Sequence, residues 1–163
     1  MIYSNKDVRR QDRLLTEEAA REILLTGEYG VLSMIDVEGS IYSIPINYVW
    51  DGVSAIYLHC APEGRKLRAI DKNQTVSYCV VGRTNVISAK FTTEYESIVL
   101  ECSAHRNLSR EEKMKALELL IDKFSAADKP AGMVSAERSF ERTEIIRLDI
   151  IRWSGKSKKV SPG

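Results

Sequence analysis

Along this chain, stretches with apolar residues three and four positions apart give way to stretches where they fall at every second position. From Thr16 to Gly27 the spacing is helical. Ala20, Ile23 and Leu24 line one face, Thr16 is placed as an N-cap, Glu17 and Glu18 suit the positive first turn, and Gly27 suits the stop. A strand follows over "YGVLSMID", with "VEGS" as a turn. The segments "IYSIPINYVW" and "VSAIYLHC" read as two strands joined at Asp51-Gly52, a pair that favours hairpins. Gly64 to about Asn73 reads as a short helix with Arg65 and Lys66 at its start. "TVSYCVVG" is a strand rich in β-branched residues, "NVISAKF" a further strand and "YESIVLECSAHRNL" a longer one. Ser109 caps an amphipathic helix, "REEKMKALELLIDKFS", in which Met114, Leu117, Leu120, Ile121 and Phe124 recur at helical spacing. A short helix fits between "DKPAGM" and Glu141, and "TEIIRLDIIRW" is a closing alternating strand before a basic tail, "GKSKK".

The expected fold is mainly β with helices: an N-terminal helix, antiparallel strands with a short inserted helix, a long helix and a last strand. Closing such a sheet into a barrel removes its exposed edges. The 163 residues suit one domain over 1–163, with short tails at about 1–10 and 157–163.

Composition narrows the classes of function. A net charge of +1 provides no global field for nucleic acid or an anionic membrane, and no apolar stretch is long enough to span a bilayer. The first residues, "MIYSNKDVRRQDR", lack the apolar core of a signal peptide. Cys60, Cys79 and Cys102 are widely spaced, form no CxxC or Cys/His pattern, and read as half-buried thiols of a cytoplasmic protein. With two histidines and no clustered carboxylates, a metal site is not expected.

Three places invite chemistry. The first is the helix start at Gly64-Arg65-Lys66. The first turn of a helix carries free N–H groups and the positive end of the macrodipole, so basic residues there are disfavoured unless an anion joins them. A solvated basic patch beside Glu63 and Glu101 is the competing reading, and the P-loop spacing is absent. The second is "IYSIPINYVW". Tyr42, Ile44, Ile46, Tyr48 and Trp50 share one face by period-two alternation; the other carries Ile41, Ser43, Pro45, Asn47 and Val49. A flat ligand could lie along this strand and read its backbone and the Asn47 amide, or Pro45 could simply mark an edge strand. The third is His59, at a strand end close to the proposed anion site, either as a proton donor or as a structural residue fixing the loop "CAPEG". His105 has no such neighbourhood.

Taken together, "IPINYVWDG", "IYLHCAPEGRKLRAI", "YESIVLECSAHRNLSREEKMKALELL" and "IIRLDIIRWSGKSKK" resemble the 5-nitroimidazole-resistance branch of the pyridoxamine 5′-phosphate oxidase-like proteins, over about Arg9 to Lys158. The most specific parts are Pro45-x-Asn47, His59 with Gly64-Arg65-Lys66, and Ser97. The resemblance implies an antiparallel split β-barrel of the FMN-binding type that forms a homodimer and holds a flavin between subunits, FMN first and FAD as the alternative. It implies Arg65 and Lys66 on the phosphate, Pro45, Ile46, Asn47 and Tyr48 along the ring system, and His59, Ala61 and Gly64 beside it. Ser97, Trp153 and Lys156 would join the site from the same or the second subunit, and His59 would be the catalytic residue meeting a small aromatic or nitroaromatic substrate. The further arginine and histidine residues with which true pyridoxamine-phosphate oxidases hold a second phosphate are not found in "DIIRWSGKSKKVSPG". The function implied is a flavin-dependent oxidoreductase of the nitroreductase type. A flavin-binding or sensing module without turnover is the alternative.

Overall fold

A computed structural model describes residues 1–160. In chain order its elements are β1 (Ile2–Tyr3), α1 (Glu17–Thr26), β2 (Tyr29–Ile35), β3 (Ile41–Asn47), β4 (Val49–Trp50), β5 (Ala55–Cys60), α2 (Arg65–Lys72), β6 (Thr75–Ile87), β7 (Thr92–His105), α3 (Arg110–Phe124), α4 (Lys129–Ser139) and β8 (Glu144–Lys158). The strands form one sheet in the order β3-β2-β6-β7-β8-β5-β4, antiparallel throughout, and β1 adds to β8 in parallel. The sheet curls into the expected split barrel.

Local signals place the helices. The Thr16 hydroxyl accepts from the Ala19 N–H, and the Ser109 hydroxyl from that of Glu112, each removing one orphan donor of a first turn. The Asp51 carboxylate accepts from the N–H groups of Val53, Ser54 and Ala55, which fixes the loop between β4 and β5.

The expected strand "IYSIPINYVW" is two strands. β3 pairs with β2 at one end of the sheet, β4 pairs with β5 at the other, and Tyr48 is the joint. The barrel is therefore closed by the continuity of the chain and not by a ladder of hydrogen bonds. Tyr48 is fully buried, and its hydroxyl donates to the Leu24 carbonyl at 2.7 Å, at the end of α1. Its ring meets that of Tyr78 edge-on at 5.4 Å, and the Tyr78 hydroxyl donates to the Ile46 carbonyl at 2.6 Å. Alternation predicts one face from Tyr42 to Trp50, but the joint breaks it: Tyr48 and Val49 are both buried, in different clusters.

Other differences concern extent. "TVSYCVVG" and the first part of "NVISAKF" are one long strand with an irregularity between Val81 and Thr84, and Ser88–Lys90 is a turn. The closing strand runs past Trp153 to Lys158, because Ser154 to Lys158 pair with β7. The N-terminal residues, expected as a tail, supply β1.

The main core fills the barrel. A second cluster lies outside it, where α3 and α4 cover β4, β5 and β8 through Ala116, Leu117, Leu120 and Phe140 on Val49, Tyr57 and Ile145. Among the described residues no helix covers the outer face of β3, β2 and β6, which leaves Ile35, Ile41 and Val81 exposed.

Gly27 and Gly30 leave the space that the two tyrosines fill. A Cβ at Gly30 would overlap the Tyr78 ring and lie 2.6 Å from the Cys79 carbonyl. Gly30→Ala is expected to lower stability by about 1–3 kcal/mol through overpacking, and Tyr48→Phe by about 1 kcal/mol through loss of one buried hydrogen bond. Urea midpoints of the purified variants check both.

Candidate functional site

The joint at Tyr48 leaves two unpaired strand edges facing each other. β3 has a strand neighbour on one side only. β5 pairs with β8 along its length, but on its other side β4 reaches only Ile56 and Tyr57, so Leu58, His59 and Cys60 have no strand there. α2 follows β5 and bridges this slit: the Arg65 guanidinium lies 4.2 Å from the centre of the Tyr42 ring on β3.

The start of α2 is built as the sequence leads one to expect. Gly64 has φ +147°, and the position of a Cβ there is open space. No side chain caps the first turn, and no acidic residue lies in it. Arg65 and Lys66 differ in circumstance. Arg65 donates to Asp36, the one buried charged residue of the described chain, just after β2. Lys66 is half-buried and forms no ion pair among the described residues; its charge acts on the nearby Cys60 thiol, opposing the burial that raises it.

Asp36 was not anticipated. Its other oxygen accepts from the N–H groups of Glu38 and Ser40, so the carboxylate closes the β2–β3 turn and holds α2 against it. The Arg65 hydrogen bond, followed by that of Ser40, keeps the carboxyl below the ordinary carboxylate range. The Asp before a "VEGS" turn was the available signal; the partner 29 residues away was not.

Pro45 and Asn47 are exposed on the edge strand β3, where a proline costs no ladder bond, and the Asn47 amide donates to the Glu28 carbonyl at 3.0 Å. Ile46 is half-buried, and its carbonyl receives the Tyr78 hydroxyl. Ala61 is exposed in the loop before α2. His59 is exposed at the rim, on the same face of β5 as Tyr57 and opposite Leu58. Two expected ligand contacts are core residues instead. The Tyr48 ring is fully buried at the joint, and Trp153 is 1 % exposed beneath Tyr3, so neither side chain can meet a surface ligand. Large rings in a small barrel serve its core first.

Ser97 and Lys156 sit directly opposite each other on β7 and β8. The register runs Pro45, Val31, Cys79, Val99, Ser154, so the path along the curled sheet from Pro45 on β3 to Ser154, two residues from Lys156, is four inter-strand steps of about 4.8 Å each. Within one chain, the site residues expected from the sequence fall into two separate groups, one on β3, β5 and α2 and one on β7 and β8.

His105 is 3.3 Å from Asp149 in a surface network with Arg147 and Glu112. The described residues contain no group of three or more His, Cys, Asp or Glu that could hold a metal, and no helix long and apolar enough to cross a membrane. The three cysteines are free, and burial pushes the Cys102 thiol up to about 12.

The sequence profile of the family described as pyridoxamine 5′-phosphate oxidase matches residues 16–157. No curated protein matches the sequence. Among solved structures, a candidate 5-nitroimidazole antibiotic resistance protein from Bacteroides thetaiotaomicron is 18% identical, with 89% of this chain and 86% of that one covered and a TM-score of 0.72. A FAD and heme binding protein from Mycobacterium smegmatis is also 18% identical, with 94% and 76% covered and a TM-score of 0.76. A FAD-binding protein from Mesorhizobium loti is 18% identical, with 90% and 98% covered and a TM-score of 0.62. At these identities the likeness is one of fold.

The charge pair at Asp36 is testable by pH. A carboxyl whose pKa is depressed in the folded state stabilises the fold above its unfolded value of about 4, and loses that contribution as pH falls through the folded value. Asp36→Asn retains an oxygen for the turn and removes the charge. Its urea midpoint is expected below that of the parent at pH 7, with the gap closing as the pH is taken down through the carboxylate range.

Proposed function

Because the chain belongs to the pyridoxamine 5′-phosphate oxidase family, we propose that it binds a flavin nucleotide, FMN before FAD, at the slit between β3 and β5. The observation that carries this reading is the start of α2, uncapped and open at Gly64, with Lys66 in no ion pair among the described residues, placed where two strand edges are free. These residues fit a nucleotide phosphate: free N–H groups, a backbone that a ligand can approach, and one uncommitted cation. Arg65 fits less directly, since Asp36 already holds it. The two neighbours named as FAD-binding support a flavin on this fold.

The second group of residues belongs to the site in a homodimer. The uncovered outer face, with Ile41 84% exposed and Ile35 and Ile151 about half exposed, suits a two-fold interface. Such an interface brings Ser97 and Lys156 of one subunit toward Pro45 to Asn47 of its partner.

A bound flavin supplies the redox chemistry. The protein's part is to grip the phosphate with Lys66 and the α2 amides, to lay the edge of β3 along the ring system, and to exclude water with the dimer face. His59 at the rim is the residue to hold and deliver a proton to a reduced acceptor. The resemblance to the nitroimidazole-resistance branch and the Bacteroides neighbour point to a small nitroaromatic acceptor, and so to an oxidoreductase of the nitroreductase type. Oxidation of pyridoxamine phosphate is not proposed, because the residues for a second phosphate are absent from the C-terminal segment.

Purified protein is expected to show flavin absorption and to release a flavin nucleotide on heating. Light scattering at micromolar concentration should give twice the 18.4 kDa chain mass. Lys66→Ala should weaken flavin binding about tenfold to a hundredfold, and Arg65→Ala less. His59→Ala should retain flavin and lose about a hundredfold in reoxidation rate by a nitroimidazole, normalised to bound flavin. A colourless protein that takes up neither FMN nor FAD refutes the flavin. A yellow protein inert to NADH, NADPH and nitroimidazole refutes the enzyme and leaves a flavin-binding module.

A further inference from the structure

α2 is anchored to the sheet without help from its first turn. Leu67, Ala69 and Ile70 are buried in the main core, Lys72 in the last turn donates to the Val37 carbonyl, and Asp71 pairs with Arg106. The pair of Arg65 with Asp36 is a second tie to the β2–β3 turn, at the other end of the helix. It uses a carboxylate that is 3 % exposed, the one buried charge of the described chain. What this tie adds to a helix already docked is the direction of the Arg65 side chain.

The guanidinium is held from two directions. Asp36 Oδ2 accepts from Nη2, while Oδ1 stays with the turn N–H groups of Glu38 and Ser40. The Tyr42 ring on β3 supports the fork, with the guanidinium carbon 4.2 Å from the ring centre. Asp36 takes one of the five N–H donors of the fork. Among the described residues no second acceptor binds it, and the side chain is half exposed, so the other donors stay open at the first residue of α2. The pair carries no net charge, so what it offers an anion is direction. A free arginine loses rotamer freedom when it grips a ligand, and a fork fixed beforehand is spared that cost.

We propose that Asp36 and the Tyr42 ring are positioning groups: they hold the Arg65 fork ready for a phosphate at the start of α2, and so make the site select a phosphorylated flavin over riboflavin, a role that rests on the flavin reading above. The sign of the effect separates positioning from simple charge. Asp36 is negative and lies beside the site, so by Coulomb's law alone its removal strengthens the attraction for a phosphate. By positioning, removal weakens it, because the fork loses its support. Asp36→Asn keeps an oxygen for the turn and turns a donor toward Arg65, which ends the pair. A merely structural role, acting through the seating of α2, would weaken binding of the flavin rings as much as that of the phosphate. Riboflavin carries the rings without the phosphate, so the ratio of FMN to riboflavin affinity reads the phosphate alone.

Full-length protein freed of flavin is titrated with FMN and with riboflavin, followed by flavin fluorescence, for the parent and for variants that a urea transition shows to be folded. Asp36→Asn is expected to lower the ratio of FMN to riboflavin affinity about tenfold, with riboflavin affinity unchanged. Tyr42→Leu, which removes the ring and leaves the carboxylate, should lower the ratio about threefold. Glu38→Gln removes a charge that also acts on Arg65 but does not release the fork, and should not lower it. In an Arg65→Ala background, neither Asp36→Asn nor Tyr42→Leu should change the ratio further. If Asp36→Asn does not fold, Tyr42→Leu with and without Arg65→Ala carries the same test. An unchanged or raised ratio in Asp36→Asn overturns the proposal and makes Asp36 a counter-charge to the phosphate. Equal loss of FMN and riboflavin overturns it in favour of a structural role, and so does a further fall in the ratio once Arg65 is gone. A parent that binds FMN and riboflavin equally overturns it while leaving the flavin in place. A parent that binds neither ends the flavin reading itself, and the positioning role with it.

Discussion

Two tyrosine hydroxyls, both inside the barrel, tie together parts that no β-ladder joins. Tyr48 reaches back to the end of α1, and Tyr78 reaches across to the backbone of β3 beside the joint. Their rings touch, and Gly27 and Gly30 are glycines because a Cβ at either place would occupy the rings' space. Lys123, near the end of α3, donates to the Gly27 carbonyl at 2.6 Å and lies 4.1 Å above the Tyr48 ring. Partial burial lowers this ammonium to about 8. A helix end, a sheet end and a second helix therefore share one small polar cluster, and moving any of them moves the others.

The slit exists because of that cluster. Had Ile41 to Trp50 run as one strand, the sheet could have closed with a continuous ladder and left no open edge for a ligand. Holding Tyr48 in the core turns the chain from one end of the sheet to the other, and the price is two unpaired edges beside α2. Asp36 then sets the chemistry of the opening by taking Arg65, so the positive character of the helix start rests on Lys66 and on backbone N–H groups. Fixed amide dipoles hold their direction without side-chain ordering, so the electrostatic character of this helix start is set by the backbone.

What the sequence disclosed follows the range of the interactions. Caps at Thr16 and Ser109, the Asp51 loop and the basic start of α2 are determined within a few residues, and they appear as read. The division of "IYSIPINYVW" depends on a hydrogen bond spanning 24 residues, and alternation within ten residues cannot register it. The polar run at Gly82-Arg83 hid the continuity of β6, because that part of the strand stands beyond the core and has no apolar face to display. Ser97 and Lys156 were legible only as a spacing shared with a family.

Among the described residues, β8 is the best connected strand of the sheet, pairing with β7, β5 and β1. Without it, β7 is an open edge, β4 and β5 have no connection to the rest of the sheet, and β1 has nothing to pair with. A chain ending before Glu144 therefore holds several unsatisfied edges at once, the condition in which strands pair with the wrong neighbour. This topology concentrates the assembly of the sheet in one strand: β8 alone joins the β2–β3–β6–β7 part to β4, β5 and β1, so a change that weakens β8 loosens both halves together.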